Sequence, residues 1–282
     1  MPELPEVQTV VDHLAQHLVG LTCTKGEISW PALVHHEKDF LNHLIGKTCI
    51  ALTRRGKYLV FHLTQGYWIV HLRMEGKFFI QKEHDPIAKH THAWLMWNEV
   101  RLDYNDTRKF GRFNYTEDLE DFFSTRLGLE PFDEQLTADY LKACAKHRRI
   151  PVKSFILDQH VLAGVGNIYA DESLFSAQLS PFKPVSRVTS LEWNRWIIEL
   201  RRILTFALES GGSTIRSYSV SHGVSGRFQQ SLQVYGRFSQ ACYRCGTRLD
   251  RGRVQGRTTV YCKSCQKVSE YAHRHYRIDR KR

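Results

Sequence analysis

The chain has 282 residues, of which 42% are hydrophobic, and its 40 Lys and Arg against 29 Asp and Glu give a formal net charge of +11. This length is sufficient for two domains with separate cores, and the excess of positive charge favours a polyanionic partner. No apolar run approaches the ~20 residues that a membrane-spanning helix needs, and we expect no signal peptide. Composition therefore excludes a membrane-spanning protein and favours nucleic acid over a membrane surface as the partner.

The first six residues contain two prolines, and an apolar stripe at helical spacing follows them. The stripe predicts a helix from about residue 5 to residue 19, which ends at Gly20 and holds Pro2 and Glu3 at its N-terminal tip. Its members are Val7, Val10, Val11, Leu14 and Leu18. The alternative for such a terminus is fraying.

The same six residues carry the groups needed for amine chemistry. Because Met before Pro is normally removed, the mature chain would begin at Pro2, and an α-amino group titrates near pH ~8. A neutral secondary amine attacks electrophilic carbon and forms an iminium, and the carboxyl groups of Glu3 and Glu6 are placed to move protons. Retention of Met1 would turn the Pro2 nitrogen into an amide and abolish this chemistry.

Between Thr22 and about Tyr115 the sequence consists of short alternating runs separated by polar residues or Gly. Such runs predict the strands of a sandwich or barrel-like sheet. The predicted strands include 49–53, 57–63, 68–72, 77–81, 93–97 and 100–104. Residues 130–132, Glu-Pro-Phe, are predicted to be the hinge out of this first domain.

After Asp133 the apolar period becomes that of a helix. The predicted helices span 137–146, 153–158, 168–177 and 191–209. Thr137 is the predicted N-cap of the first, and its Tyr140, Leu141 and Cys144 should face inward. Two glycines end the last helix, and residues 213–227 are predicted to form a mobile loop.

Two Cys-x2-Cys pairs separated by sixteen residues fit the spacing of a four-thiolate zinc site. The four residues are Cys242, Cys245, Cys262 and Cys265. Four protein ligands make a closed site, so the zinc would shape a two-stranded hairpin over 246–261 and would not catalyse. Incidental thiols or a redox pair are the alternative, but the scatter of the other three cysteines is typical of a reduced cytosolic protein.

The turn Gly164-Val165-Gly166-Asn167 stands directly before a predicted helix. Glycine allows close approach of the backbone, and the amides at a helix N-terminus bind phosphate. A plain turn between two helices is the default interpretation of such a short motif. The basic charge of the chain favours the phosphate site.

Four stretches together resemble the formamidopyrimidine-DNA glycosylase family, which is related to endonuclease VIII. They are MPELPEV at the N-terminus, RRGKYLVFHL at 54–63, GVGNIYADESLF at 164–175 and the four-cysteine cluster. The resemblance runs from Met1 to about Gln266. It implies an α+β fold of two domains, with an N-terminal β-sandwich preceded by a helix and a C-terminal helical domain that carries a helix-two-turn-helix element and a zinc-finger β-hairpin.

The resemblance also implies domain borders. Residues 1–132 would form the catalytic sandwich domain and 133–238 the helix-two-turn-helix DNA-binding domain. The zinc-finger hairpin would occupy 239–266, as a part of the C-terminal domain. The basic tail over 267–282 extends past the usual end of the family, and we expect it to be disordered and to attract DNA without sequence preference.

The implied function is a bifunctional DNA glycosylase and abasic-site lyase of base excision repair. It would excise oxidised purines, namely 8-oxoguanine and formamidopyrimidines, from duplex DNA through a Schiff base on the N-terminal proline and cut the strand by β,δ-elimination. One structural zinc ion and no redox or organic cofactor would be bound, and the protein would act as a monomer in the bacterial cytoplasm. Two alternatives stay open: a glycosylase for oxidised pyrimidines of the endonuclease VIII type, and a catalytically silent binder of damaged DNA.

The resemblance assigns roles to residues of this sequence. The implied catalytic residues are Pro2, Glu3, Lys57 and Arg257. Pro2 and Glu3 would carry the bond chemistry, and Lys57 and Arg257 would grip phosphates at the lesion. Turning a base out of the duplex leaves a gap that needs an apolar side chain and a planar cation, and the residues implied for this are Met74, Arg108 and Phe110. The remaining implied DNA-binding residues are Glu6, His90, Lys153, Gly166, Asn167, Glu172 and Arg216.

Two positions inside the matched region depart from the family pattern. Gln8 stands where the family usually has Glu, which removes one carboxylate near the pocket. Arg216 stands where Lys is common, in a loop that the family uses to cover the damaged base. Both departures leave the preference among lesions open.

Overall fold

The computed structural model describes residues 1–35, 39–212 and 228–267. By packing, the chain divides into two compact units, Met1–Thr125 with Leu208–Gln229 and Arg126–Ala207 with Gln230–Arg282. The first border lies at residues 125–126, before the predicted hinge at 130–132. The predicted four-part division of the chain stays a prediction.

Helix α1 spans Leu4–Leu18 and confirms the predicted N-terminal helix. Its buried residues are Leu4, Pro5, Glu6, Val7, Val10, Val11, Leu14 and Leu18. Each buried Val or Leu contributes about 1.5–3 kcal/mol, so the stripe fixes the helix firmly on its sheet. The chain turns away at Gly20, whose φ of +87° is a left-handed conformation that glycine adopts without strain.

Eight strands form two antiparallel four-stranded sheets in the first unit, which confirms the predicted sandwich. The strands are β1 Cys23–Ile28, β2 Cys49–Arg55, β3 Tyr58–Leu63, β4 Tyr67–His71, β5 Lys77–Lys82, β6 Thr91–Trp97, β7 Val100–Asn105 and β8 Arg112–Thr116. One sheet has the order β1-β6-β7-β5 and the other the order β2-β3-β4-β8. The short helices of this unit are α2 Phe40–Leu44 and α3 Leu119–Ser124.

Aromatic rings fill the space between the two sheets. Phe61 stacks on Trp68 with ring centroids 4.1 Å apart, and Phe78 of the opposite sheet meets Phe61 edge to face at 6.1 Å. Such pairs add about 0.5–1.5 kcal/mol each beyond the burial of their area. The turns that follow β4 and β7 therefore leave a rigid frame, and these turns carry the predicted gap-filling residues.

The second unit contains four helices and a hairpin among its described residues. They are α4 Ala138–Ala145, α5 Val152–Ile156, α6 Asn167–Ser176, α7 Ser190–Glu209, β9 Asp250–Val254 and β10 Arg257–Tyr261. The Thr137 hydroxyl accepts the Tyr140 N–H at 3.2 Å, which confirms the predicted N-cap. Leu141 faces inward as predicted, whereas Tyr140 and Cys144 are half-buried.

The long helix α7 buries one face, as its sequence predicts. The buried residues are Trp193, Trp196, Ile197, Leu200, Ile203, Leu204 and Ala207. Within the described ranges no helix has both the length and the apolar character to cross a membrane.

Strands β9 and β10 pair in antiparallel register over 250–254 and 257–261, which confirms the hairpin predicted between the cysteine pairs. The two turn residues, Gln255 and Gly256, have φ of +48° and +75°. Positive φ at both central positions matches the two-residue turns that follow the twist of paired strands. The hairpin packs on a small cluster of buried residues, namely Phe175, Val234, Cys242, Leu249, Val260 and Cys262.

Candidate active site

The N-terminal tip of α1 is held by two buried carboxyl groups. Glu3 is the N-cap residue and Glu6 lies at N3, and a reciprocal capping box joins them. Glu6 Oε2 accepts the Glu3 N–H at 3.0 Å, and only 3% of Glu3 and 6% of Glu6 are exposed. The capping box satisfies amides that the helix leaves without intrahelical partners, and it fixes the direction in which residues 1–3 leave the helix.

The amino terminus lies in an environment that favours the neutral amine. Burial lowers the pKa of the Met1 amino group, and the charge of Lys57 lowers it further, against the opposing effect of Glu3 and Glu6. Lys57 is itself buried, in the turn between β2 and β3. The structure therefore brings three of the predicted residues together in the first unit: the terminus, the carboxyl of Glu3 and the ammonium of Lys57.

A cavity of about 340 Å³ lies beside this terminus and is lined by Met1, Arg73, Met74, Phe110 and Arg112. Met74 is 38% exposed and Phe110 is 46% exposed, so neither is a core residue. The Arg108 guanidinium stacks over the Phe110 ring at 4.7 Å from its centroid. The predicted gap-filling residues Met74 and Phe110 thus line one cavity with the N-terminal residue, and Arg108 rests on Phe110.

His90 lies in the turn before β6, where its side chain is exposed and its φ is +69°. A positive φ is uncommon for a residue other than glycine and needs support from the surrounding structure. The support comes from the Asp106 N–H, which donates to the His90 carbonyl at 3.0 Å.

In the second unit, the predicted phosphate turn lies against the hairpin. Gly166 is the N-cap residue of α6 and Asn167 is the first helical residue. The side-chain amide nitrogen of Asn167 donates to the Thr258 carbonyl of β10 at 3.1 Å, and the exposed Arg257 is the residue immediately before Thr258. Gly166, Asn167 and Arg257 therefore come together at one end of α6.

Lys153 has no exposed surface. Its ammonium lies 2.6 Å from Asp171 Oδ1 and donates to the Thr258 carbonyl at 3.2 Å. The Asp171 carboxylate in turn accepts the hydroxyl of Thr259 and the N–H of Val260. Lys153 thus supports the hairpin from beneath, and its predicted contact with DNA stays a prediction.

Glu172 holds the segment that leads to the cysteine cluster. Its carboxylate accepts backbone N–H groups of Gln233, Val234 and Tyr235 at 2.7–2.9 Å. Burial raises the pKa of Glu172, and the three N–H donors act in the opposite direction. These bonds support the fold, and the implied contact of Glu172 with DNA stays a prediction. Arg216 lies outside the described residues.

The sulfur atoms of Cys242, Cys245, Cys262 and Cys265 all lie within 4.8 Å of one another. The Sγ atoms of Cys242 and Cys265 are 3.9 Å apart, and those of Cys245 and Cys262 are 3.5 Å apart. Four thiolates about 2.3 Å from a tetrahedral zinc would be separated by about 3.8 Å. The cluster therefore fits a metal ion, and it is the one group of this kind in the described part of the chain.

Sequence reasoning missed Asp106 and Asp171. Both are buried carboxylates. The partners of Asp171 lie on α5 and β10, and Asp106 joins its own loop to that of His90 through its main chain. The one local signal for Asp106 is its place before the Thr-Arg-Lys-Phe-Gly loop, because Asp side chains accept backbone N–H groups of following residues in turns.

An antiparallel sandwich entered by a capped N-terminal helix, joined to a helical unit with a cysteine-closed hairpin, defines a known class. The family model described as Formamidopyrimidine-DNA glycosylase N-terminal domain matches residues 1–113, and the one described as Formamidopyrimidine-DNA glycosylase H2TH domain matches residues 127–219. The chain belongs to the formamidopyrimidine-DNA glycosylase family.

Curated relatives are similar to this chain over nearly its whole length. A formamidopyrimidine-DNA glycosylase from an Exiguobacterium species is 40% identical over 279 residues, which cover 94% of this chain and 99% of the relative. One from Vibrio cholerae is 39% identical over 268 residues, which cover 94% of this chain and 100% of the relative.

Solved structures give the same result. A Lactococcus lactis FPG mutant in complex with DNA that contains Fapy-dG has a TM-score of 0.89 at 34% identity, over 95% of this chain and 100% of that one. The Lactococcus lactis Fpg complex with DNA that contains an abasic site also has a TM-score of 0.89 at 34% identity, over 94% and 100%. MutM in complex with DNA that contains carbocyclic 8-oxo-G has a TM-score of 0.88 at 33% identity, over 95% and 100%.

Proposed function

We propose that this protein is a glycosylase and abasic-site lyase of base excision repair that removes oxidised purines, 8-oxoguanine and formamidopyrimidines, from duplex DNA. Membership of the family supports the glycosylase, and the lesions held by its solved relatives support the substrate class. The observation that carries the proposal is the cavity of about 340 Å³ that Met1 lines together with Met74 and Phe110. Removal of Met1 would leave the new amino group of Pro2 next to this cavity, and an amine beside two apolar gap-filling side chains suits an enzyme that turns a nucleotide out of the stack.

Pro2 is the proposed nucleophile, once Met1 has been removed. Burial lowers the pKa of the Met1 amino group, and the amine of Pro2 would arise one residue further along the same buried segment. The amine nitrogen bonds to C1′ of the turned-out nucleotide, and the glycosidic bond breaks as the base leaves with its electron pair and takes up a proton. The amine then loses its proton, and the C1′–O4′ bond of the sugar breaks as the nitrogen lone pair forms the iminium. Glu3, fixed as the N-cap residue of α1, donates the proton that O4′ takes up.

Strand cleavage follows from the iminium that joins Pro2 to C1′. The iminium acidifies C2′, and loss of a C2′ proton expels the 3′ phosphate. A second elimination expels the 5′ phosphate and leaves a gap of one nucleotide. Each step needs proton transfer but no oxidant, in agreement with a site made of an amine and carboxyl groups.

Phosphate binding is proposed for Lys57 in the first unit and for Asn167 and Arg257 in the second. The start of α6 supports this role, because the backbone amides and the dipole of a helix N-terminus attract anions. The hydrogen bond from Asn167 to Thr258 supports a shared role for the helix start and the hairpin that bears Arg257.

A structural zinc ion is proposed for the four-cysteine cluster. The sulfur separations fit four thiolates around one tetrahedral ion, and such a site has no position left for a substrate. The ion would hold a hairpin that presents several cations to DNA, namely Arg251, Arg253 and Arg257. Duplex DNA is the proposed partner, and a monomer in the bacterial cytoplasm is part of the same proposal.

Single-turnover assays on two labelled duplexes test the substrate class. One duplex carries 8-oxoguanine opposite cytosine and the other carries thymine glycol. Faster excision of 8-oxoguanine, with strand cleavage on both sides of the lesion, is the expected result. Faster excision of thymine glycol would assign the protein to the oxidised-pyrimidine class, and tight binding without excision of either would make it a silent binder.

A further inference from the structure

The loop between β7 and β8 is built around one carboxylate. Asp106, which has no exposed surface, begins the loop that carries Arg108 and Phe110. Its Oδ1 accepts the Arg108 N–H at 3.0 Å, and its Oδ2 accepts the N–H groups of Phe110 at 2.9 Å and Gly111 at 2.8 Å. Three backbone N–H groups of one loop thus donate to a single side chain.

The backbone of Asp106 fixes a second loop. Its N–H donates to the carbonyl of His90 at 3.0 Å, and its own carbonyl lies 3.0 Å from Nε2 of His92. Asp106 therefore contacts, through its main chain and side chain, the backbones of three residues assigned to DNA binding: His90, Arg108 and Phe110.

The turn between β4 and β5, which carries Met74, lies against Tyr104, and Tyr104 contacts Asp106. The Tyr104 hydroxyl donates to Asp106 Oδ2 at 3.3 Å. A Cβ on Gly111 would lie 1.6 Å from this hydroxyl and a Cβ on Gly76 would lie 2.3 Å from it, so both turns require glycine in order to approach Tyr104. A hydrogen bond from Thr107 to Glu75 also joins the two turns directly.

A carboxylate suits this position for a physical reason. The loop makes no strand ladder between residues 106 and 111, and Lys109 within it has a φ of +57°. Buried amides without acceptors cost about 1–3 kcal/mol each, and hydrogen bonds to a charged acceptor are about twice as strong as neutral ones. One buried carboxylate thus replaces the missing ladder and keeps the loop in one conformation while its two large side chains stay exposed.

We infer that Asp106 is a positioning residue for base extrusion: it holds Arg108 and Phe110 ready to enter the duplex at the moment the damaged nucleotide leaves. This inference rests on the proposed function. Asp106 touches neither the amine nor the reacting carbon, so it acts on the opening of the duplex and not on the chemistry at C1′. Preorganisation of the loop removes an ordering cost from that step.

The test compares two substrates of one enzyme. Excision of 8-oxoguanine opposite cytosine in a duplex requires a gap to be filled, whereas cleavage of an abasic site in single-stranded DNA does not. Asp106→Asn turns one acceptor oxygen into an N–H₂ group that faces backbone N–H donors. We expect the duplex rate to fall roughly thirtyfold, which corresponds to about 2 kcal/mol, and the single-strand rate to change less than about threefold.

A partly unfolded variant would lose both rates equally. The quantity to compare is therefore the duplex rate divided by the single-strand rate. Asp118→Asn is the matched control, because Asp118 also accepts a backbone N–H, that of Asp121 at 2.9 Å, but caps the distant helix α3. It should leave the ratio unchanged. If Asp106→Asn does not fold, Asp106→Glu keeps the charge at a longer reach and should lower the ratio by a smaller factor.

A double-mutant cycle separates positioning from a general structural role. In a background of Phe110→Ala with Arg108→Ala, the substitution Asp106→Asn should cost less than about threefold on the duplex, because the residues it positions are absent. An equal loss on both substrates, or a full loss in the double-alanine background, would overturn the inference. A wild-type protein that cleaves neither substrate would instead overturn the proposed function and the inference with it.

Discussion

The two units bury charged groups that have different roles, one in the proposed chemistry and one in stabilising the fold. At the tip of α1, Glu3 and Glu6 are buried beside the amino terminus, which lines a cavity, and the Glu6 carboxylate accepts a backbone N–H. In the second unit, the buried side chains of Lys153 and Asp171 face each other at 2.6 Å. The surroundings of each buried carboxyl group decide its role: those at the tip of α1 lie beside the amino terminus and are proposed for proton transfer, whereas that of Asp171 faces a buried ammonium and stabilises the fold.

The largest effect is expected from removal of the metal proposed for the cysteine cluster. The binding free energy of a structural zinc is on the order of 10 kcal/mol and becomes folding free energy of the element it closes. Chelation, or Cys262→Ser, should therefore unfold the hairpin and weaken binding to duplex DNA, while the aromatic core of the sandwich stays folded. Hydrogen exchange measured by mass spectrometry should show fast exchange over 250–261 and protected amides in β3 and β4.

The matched control for metal removal is Cys144→Ser, a cysteine outside the cluster. It should retain one zinc per chain by elemental analysis and an unchanged exchange pattern. A hairpin that stays protected after the metal has been lost would contradict a structural role for the ion.

Replacement of Glu3 tests whether the buried carboxyl group at the tip of α1 transfers protons during base excision. Glu3→Gln keeps the size of the N-cap side chain but removes the acid, and proton transfer by a positioned acid or base contributes roughly 10²–10⁴-fold. The single-turnover rate of base excision should fall by that factor, and affinity for a duplex with a stable abasic analogue should stay within about threefold. Asp12→Asn, on the exposed face of α1, is the control and should change neither quantity. Full excision by Glu3→Gln would refute the assignment.

Removal of one partner of the buried ion pair tests the architectural side. Asp171→Asn leaves the Lys153 ammonium buried without its counter-charge, which typically costs about 3–5 kcal/mol. Urea unfolding should show a loss of that size. The double substitution Lys153→Met with Asp171→Leu should recover most of the stability, because neither charge is then buried.

The same double substitution also decides whether Lys153 touches DNA. If Lys153 only supports the hairpin, the double variant should bind duplex DNA within about threefold of wild type. A loss of less than 1 kcal/mol for Asp171→Asn alone would contradict the architectural role of the pair.

A smaller effect is expected from His71, which adjoins the Met74 turn. Burial lowers the pKa of His71 to about 3, helped by the charges of Arg73 and Lys57, and its Nδ1 accepts the Arg73 N–H at 3.0 Å. The unfolded chain protonates this residue near pH 6.5, so it binds more protons than the folded chain below that pH. The free energy of unfolding should therefore fall as the pH drops below about 6.5, by up to about 1.4 kcal/mol per pH unit from this residue.

His71→Asn keeps an acceptor for the Arg73 N–H and does not titrate. Urea unfolding at pH 7, 6, 5 and 4 should show a shallower loss of stability in this variant than in wild type. His84→Asn, a control on an exposed histidine, should follow the wild-type curve. Parallel curves for wild type and His71→Asn would contradict a neutral buried His71.

Much of the fold could be predicted from local patterns. The apolar stripe of α1, the N-cap at Thr137 and the spacing of the cysteines each act over a few residues, and each is confirmed. Strand β1 is not among the separately predicted strands, because its apolar residues Cys23 and Ile28 stand only at its two ends, with polar residues and Gly between them. Strand β8 is not among them either, although Phe113 and Tyr115 alternate with polar residues in its short run of five.

The candidate site could be predicted where the family motif or the chemistry of a residue type is enough, as for Pro2, Glu3 and the four cysteines. Burial of Lys153 could not be predicted, because it depends on Asp171 of another helix and on carbonyl groups of β10. The role of Asp106 likewise depends on loops that meet only after the sandwich has folded. Pairing across elements decides whether a charged residue faces a ligand or the core, and no local pattern encodes that pairing.

The most direct test of the central claim is borohydride trapping on a duplex with 8-oxoguanine opposite cytosine, followed by mass mapping of the cross-linked peptide. The account predicts a covalent adduct on the nitrogen of Pro2 in a chain that has lost Met1. That adduct would demonstrate base extrusion, excision and imine chemistry in one experiment. Tight binding to the same duplex by a chain that begins at Pro2, with no adduct or with an adduct on another residue, would contradict the claim that this terminus is the nucleophile.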